Sequence, residues 1–143
     1  MSSIAADTSR SQRLKAATHD AHERLDRRIM AAQPFASREH YARFVQAQYR
    51  FHCDLEPVYA NPVLASVVPE LAQRRRLPQI RADLADLGVP LPAVPPVAPA
   101  ATAYDTQVSA LGWLYVAEGS SLGAAILLKL ALRLGLDEHF GAR

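Results

Sequence analysis

The chain has 143 residues, half of them hydrophobic, and a formal net charge of +2. This length favours one domain with a hydrophobic core of its own. The single cysteine, Cys53, excludes an internal disulfide and a cysteine-rich metal site, a pattern typical of reducing compartments. The small charge surplus, and the absence of aromatic residues within the basic run Arg74–Arg76, argue against a nucleic-acid-binding surface.

The sequence predicts neither a targeting signal nor a membrane span. The first seven residues lack a basic start and an apolar run, and we expect residues 1–8 to be disordered. The longest uninterrupted apolar stretch runs from Ala124 to Leu128, whereas a membrane-spanning helix needs about 20 apolar residues. We therefore expect a cytoplasmic protein without a membrane partner.

Two long helices are predicted in the first part of the chain. Ser9 and Gln12 have the spacing of a capping box, which predicts a first helix over about residues 10–32. Ser37 can cap a second helix, whose apolar residues keep the 3-4 spacing. We expect this helix to end near Glu56, because a proline follows directly.

Shorter helices and one long helix follow. Asn61-Pro62 combines a capping residue with a first-turn proline and predicts a short third helix. A fourth is expected over about 78–87, before a glycine. Residues 90–99, which hold five of the ten prolines, predict a stiff surface connection. A last long helix is predicted over about 104–134. No segment alternates with the period of a strand, so the predicted fold class is all-α.

One histidine of the first helix lies on its apolar stripe. At about 100° per residue, His22 falls roughly 40° from the centre of this stripe, and His19 falls roughly 100° away. The stripe consists of Leu14, Thr18, Leu25 and Ile29. A buried imidazole needs a partner, which is either a group on another helix or, as an axial ligand, a haem iron. Asp26, one turn later, either fixes the tautomer of His22 or is an ordinary exposed acid.

Three glycines share one narrow strip of the last helix. With Gly112 at zero, Gly119 and Gly123 lie within about 20° of it. Each glycine costs about 1 kcal/mol relative to alanine inside a helix, so their alignment calls for a reason. A strip without side chains admits either another helix or a flat ligand. Gly119-Ser120 is also a pair at which helices kink.

Two segments together resemble the haem oxygenase family. Ser11–Asp26, which contains His22, looks like the proximal helix of this family, and Leu111–Gly123 looks like its glycine-containing distal helix. Between them, Pro34–Arg38 and Ala47–Tyr59 are similar to the bacterial iron-acquisition branch. The resemblance implies a haem oxygenase-like multi-helix fold, in which haem is sandwiched between a proximal and a kinked distal helix.

The resemblance also implies the roles of individual residues. By it, His22 is the axial ligand of the haem iron, with Asp26 behind it, and the reaction takes place beside Gly119, Ser120 and Gly123. Some family members carry an aspartate where this chain has Ser120. Here the distal hydrogen-bond network would therefore use water and backbone groups.

Two further residues match family positions that contact the haem propionates. They are Lys15 and Tyr115, and a lysine and a phenol both suit a carboxylate. The other interpretations are a surface lysine and a core tyrosine. Since the propionates set the rotation of the ring, this pair implies the α isomer of biliverdin.

The reaction implied by the resemblance is the oxidative cleavage of haem to biliverdin, carbon monoxide and ferrous iron. It uses O2 and electrons from a reductase or ferredoxin, so the expected partners are haem and an electron-donor protein, with the chain itself a monomer. Family members usually continue through further C-terminal helices. We therefore expect residues 1–143 to form one domain that is truncated at its C-terminus.

Three other functions stay open at this point. A haem-binding carrier or sensor would hold haem without degrading it. A TenA-like helical enzyme would use a cysteine nucleophile, although Cys53 has no activating neighbour in the sequence. A helix-pairing module would use the glycine strip to form a dimer without any cofactor.

Overall fold

The computed structural model describes residues 9–94, 107–120 and 123–143, so the expected disorder of residues 1–8 lies outside it. The described residues form helices and no β-strand, which confirms the all-α prediction. In chain order these are α1 (Arg10–Ala31), α2 (Arg38–Tyr59), α3 (Pro62–Val67), the 3₁₀ helix η1 (Leu71–Arg74), α4 (Leu77–Asp86), α5 (Gln107–Ser120) and α6 (Ala124–Leu132). The contacts divide the described residues into two compact units, one ending at Pro34 and the other beginning at Phe35.

Helix α1 begins with the predicted capping box. The Ser9 hydroxyl accepts from the backbone N–H of Gln12 at 3.2 Å, and the side chain of Gln12 accepts from the backbone N–H of Ser9 at 2.8 Å. The helix ends at Ala31, within one residue of the expected end. Gln33 then takes a left-handed conformation with φ 48°, which turns the chain.

Helix α2 begins as predicted but ends later. The Ser37 hydroxyl accepts from the backbone N–H of His40 at 3.2 Å. The predicted end near Glu56 is wrong, because the helix continues through Pro57 for another turn. In that turn Val58 and Tyr59 are 0% and 5% exposed. The burial of these two side chains offsets the loss of the backbone hydrogen bond that a proline cannot donate.

The shorter helices also begin at the predicted signals. The Asn61 side chain accepts from the backbone N–H groups of Val63 and Leu64, at 2.9 and 3.1 Å, and thereby caps α3. Helix α4 ends two residues before Gly88, whose φ of +67° suits a residue without Cβ. The 3₁₀ helix between α3 and α4 was not predicted.

Two groups of buried side chains hold the second unit together. The first joins α2, α3, η1 and α5, and contains Leu55, Val58, Tyr59, Leu64, Leu71, Ala110, Leu114 and Ala117. The second joins α2, α4, α6 and the chain after α6, and contains Tyr41, Val45, Tyr49, Leu77, Leu84, Ala131 and Leu136. Helix α5, which carries the first two glycines of the strip, is therefore fixed through one side to the first group.

The described residues of the predicted last helix form α5, which ends at Ser120, and α6, which begins at Ala124. Residues 104–106 and 121–122, which the expectation also included, lie outside the described residues.

The end of α6 is held by a side chain of α2. Arg38 donates through Nε to the carbonyl of Leu134 at 2.7 Å and through Nη2 to the carbonyl of Gly135 at 3.0 Å. These carbonyls follow the helix, where the helix itself offers no partner. Gly135, with φ +71°, turns the chain out of the helix.

The segment from Gln107 to Leu132 is long and apolar enough to cross a membrane by length and composition alone. Its mean hydropathy is 1.4, and it runs over the two undescribed residues between α5 and α6. Core helices of soluble proteins pass the same test. This one segment is therefore weak support for a membrane location.

Candidate functional site

The imidazole of His22 lies on α1 and points one ring nitrogen at a carboxylate. Its Nδ1 is 3.1 Å from Oδ2 of Asp26, one helical turn later. The side chains are 75% and 59% exposed. A carboxylate at this distance favours the tautomer that carries the proton on Nδ1, which leaves the lone pair on Nε2 for a metal.

The apolar stripe of α1 is exposed rather than buried. No residue of α1 is buried, and Leu14 and Leu25 are 41% and 57% exposed. The expectation that His22 lies among core-facing residues is therefore wrong for the described chain. The first interpretation of His22, a buried imidazole bonded to another helix, loses its basis. A helix that exposes its apolar stripe and a histidine together is suited to holding an apolar ligand.

Lys15 lies seven residues before His22 on the same helix and is exposed. Two turns of a helix bring residues seven apart to nearly the same side, so both side chains project from neighbouring faces of α1. The lysine can therefore reach an anionic group of a molecule that His22 binds. His19, which the sequence predicted at the edge of the stripe, is exposed as well.

The glycine strip is open. A Cβ atom built on Gly112, Gly119 or Gly123 would meet no atom of the described residues within 4 Å beyond the adjacent backbone of its own helix. No side chain or backbone among the described residues therefore packs closely on the strip. Helix packing, the first of the two interpretations of this strip, is not observed there. The side of α5 that does pack against the first buried group carries Ala110, Leu114 and Ala117.

A shallow depression of about 230 Å³, open to solvent, lies beside the first glycine of the strip and is lined by Ser109, Gly112, Trp113 and Val116. Tyr115 is 46% exposed, so the interpretation as a core tyrosine does not hold. The phenol is thus available to a ligand on the outer side of α5.

Ser120 uses its hydroxyl within the helix. Its Oγ donates to the carbonyl of Ala117 at 2.7 Å. This bond occupies the hydroxyl proton, so the side chain offers lone pairs rather than a proton to a neighbouring molecule.

One buried histidine was given no role in the site from the sequence. His52 of α2 is 5% exposed, and its Nδ1 has no hydrogen-bond partner among the described residues. Burial lowers its pKa, the Arg76 guanidinium lowers it further, and Glu56 opposes this change. The imidazole is therefore neutral at pH 7. Its place on the apolar stripe of α2 was visible in the sequence, but the missing partner was not.

The predicted residues fall into two sets. Lys15, His22 and Asp26 share one face region of α1, in the first compact unit. The glycine strip, Tyr115 and Ser120 lie in the second unit, on α5 and at the start of α6. Each set by itself fits one part of haem: the first offers an imidazole nitrogen suited to iron, and the second offers an open helix surface suited to a planar ring.

Comparisons with known proteins agree with this chemistry. The model of the family "Heme oxygenase" matches residues 8–143. The "Heme oxygenase PigA" of Pseudomonas aeruginosa is 52% identical over 134 residues, which are 94% of this chain and 67% of that protein. A "Heme oxygenase" of Xanthomonas campestris is 32% identical over 91 residues, which are 63% of this chain and 52% of that protein.

A solved structure is also similar. The NO- and CO-bound haem oxygenase of Neisseria meningitidis superposes with a TM-score of 0.81 at 39% identity, over 92% of this chain and 64% of that one. The chain thus spans between about half and two thirds of the length of these relatives. The family model covers nearly the whole chain, and the PigA relative exceeds half identity. This chain belongs to the haem oxygenase family.

Proposed function

We propose that this chain binds haem on His22 and the glycine strip and cleaves it oxidatively. The observation that carries the proposal is the open space at Gly112, Gly119 and Gly123, where a Cβ atom would meet nothing among the described residues within 4 Å. An enzyme that holds a planar substrate against a helix needs such a surface. Membership of the haem oxygenase family supports the same conclusion.

On α1, the proposed task is to hold the iron. Asp26 accepts the Nδ1 proton of His22 and thereby aims Nε2 outward for coordination. Both groups are exposed, so the pair itself adds little stability, and its value lies in orientation. Lys15 on the same helix would bind a propionate, and Tyr115 on α5 would bind another.

On α5 and α6, the proposed task is to shape the distal side. Gly119 and Gly123 let the ring come close to the backbone, because neither carries a Cβ. Since the hydroxyl of Ser120 is bonded to Ala117, the hydrogen-bond network would use water and backbone groups. The helix backbone would then lie close to the ring and would leave only one direction from which the ring could react.

Haem itself supplies the oxidative chemistry when it is bound, with O2 and with electrons from a reductase or ferredoxin. The protein contributes binding, orientation and exclusion of bulk water. The proposed products are biliverdin, carbon monoxide and ferrous iron. The Lys15 and Tyr115 contacts would fix the rotation of the ring, and on this basis we propose the α isomer. We further propose a monomeric cytoplasmic protein that acts in iron acquisition.

Turnover in solution separates this proposal from a haem carrier. The full chain is loaded with hemin under argon, and O2 and ascorbate are then added while the absorption spectrum is followed. We expect the Soret band to disappear and bilin absorption to rise, with the isomer identified by chromatography. A Soret band that persists without bilin would show a carrier or sensor instead.

A further inference from the structure

Three consecutive arginines each bond to a different part of the second unit. Arg75 pairs with Glu56 of α2, and Arg76 donates to the backbone carbonyl of Arg143 at 3.1 Å. Arg74 pairs with Glu118 of α5 at 3.3 Å. The three side chains are exposed, and they form ion pairs and hydrogen bonds that join separate parts of this unit.

Arg74 is held from both sides. Its Nε donates to the carbonyl of Pro69 at 3.2 Å, and its Nη1 donates to the Glu118 carboxylate at 3.3 Å. The helix η1, which ends at Arg74, is anchored by Leu71, a residue 3% exposed within the first buried group. The guanidinium therefore starts from a fixed backbone, so less side-chain entropy is lost when it pairs.

Glu118 directly precedes Gly119 and Ser120 at the end of α5. Its carboxylate accepts from Nη1 of Arg74 at 3.3 Å, so this ion pair joins the last described turn of α5 to η1. The position of Gly119 and Ser120 in that turn is therefore linked to Arg74.

The pKa of a buried tyrosine depends on the same two charged groups, Arg74 and Glu118. Tyr59 is 5% exposed, and burial raises its pKa. The Glu118 and Glu56 carboxylates raise this pKa further, whereas Arg74 and Arg76 lower it. Arg74 therefore offsets the charge of Glu118 both for the helix end and for the core beneath it.

We propose that Arg74 is a positioning residue, which through Glu118 fixes the end of α5 and thereby the placement of Gly119 and Ser120 toward bound haem. Arg74 itself touches neither the ring nor the reacting atoms in this proposal. The effect of Arg74 on bound haem rests on the proposed function. Its effect on the position of Gly119 and Ser120 does not, and can be tested without haem.

The first test measures amide hydrogen exchange at the end of α5 in the full chain without haem. We expect Arg74→Met to raise the exchange rates of Gly119 and Ser120 about two- to five-fold, the range that an exposed ion pair supports. Glu118→Gln should have a smaller effect, because it removes the ion pair without leaving an unpaired carboxylate at this turn. The double charge exchange Arg74→Glu with Glu118→Arg should restore slow exchange.

A matched control uses an ion pair elsewhere. Arg43 and Glu39 pair at 2.6 Å on α2, with side chains 67% and 74% exposed. Arg43→Met should leave the exchange rates at Gly119 and Ser120 unchanged. Equal rates in wild type and Arg74→Met, or equal increases in both arginine variants, would overturn the proposal.

The second test measures the C–O stretching frequency of the haem-loaded protein under carbon monoxide. We expect Arg74→Met to shift or broaden this band, and the charge exchange to return it. An unchanged band together with faster exchange would overturn the link to haem. If wild type takes up no hemin, the proposed function fails, while the exchange measurement still decides the role of Arg74.

Discussion

A substitution at Gly119 should change ligand binding without lowering the stability of the protein. A Cβ at this position would meet no described atom within 4 Å beyond its own helix, and a glycine costs about 1 kcal/mol relative to alanine inside a helix. Gly119→Ala should therefore raise the unfolding free energy of the protein without haem by up to about 1 kcal/mol, and Gly119→Leu, whose Cβ enters the same open space, should not lower it. The same side chain would occupy the space proposed for the ring. Hemin titration should show weaker binding and lower turnover.

The control for this substitution places the same side chain away from the strip. Ala125 of α6 is exposed and lies about 160° around the helix from Gly123. Ala125→Leu should leave hemin affinity unchanged. Equal hemin affinity in wild type and Gly119→Leu would remove the strip from the proposed site.

His52 makes stability depend on pH. Burial, and then Arg76, lower its pKa in the folded protein below the value of about 6.5 in the unfolded chain. The folded state then binds fewer protons, so this contribution to stability is fully present above pH 6.5 and is lost as the pH falls below that value. Urea unfolding between pH 5 and 8 should show this decline in wild type and a smaller one in His52→Gln.

His139 provides the comparison, because its side chain is 86% exposed. His139→Gln should keep the pH dependence of wild type. An identical decline in His52→Gln would assign the effect to other groups.

At the scale of elements, the capping residues predict helix starts well. Asn61 accepts from the first backbone N–H groups of α3, which would otherwise lack a partner. Asn61→Ala should lower the unfolding free energy by about 1 kcal/mol. Asn61→Asp, which keeps the acceptor, should stay close to wild type. A thermal unfolding curve of Asn61→Ala equal to that of wild type would contradict this role.

Helix ends were predicted less well than helix starts. Start signals are local, since one side chain such as Ser9 or Ser37 bonds the following N–H groups. The end of α2 depends instead on the burial of Val58 and Tyr59, which pack against α3, η1 and α5. The low helix propensity of Pro57 predicted an earlier end of α2, but the packing of the last turn extends the helix beyond it.

The glycine strip shows which part of the site could be read from sequence. The alignment of Gly112, Gly119 and Gly123 follows from helical periodicity alone. Whether the strip is covered depends on what packs on it, and only the structure shows it open. The role of Arg74 could not be predicted either. Its partner Glu118 is 44 residues away in the chain, and charge patterns carry no information about such distant pairs.

At the scale of the whole molecule, the residues proposed to bind haem come from both compact units. The α1 residues His22 and Lys15 belong to the first, and the glycine strip to the second. The family model spans both units, since it matches residues 8–143. The resemblance to a family could therefore predict that the two sets of residues serve one site. Helical periodicity could predict only which residues share a face of the same helix.

The most direct test of this account is the absorption spectrum of the hemin complex of His22→Ala. His19→Ala, an exposed histidine on the same helix, serves as the control. We expect wild type and His19→Ala to share one spectrum, His22→Ala to lose it, and added imidazole to restore it. A His22→Ala spectrum identical to that of wild type would contradict the account.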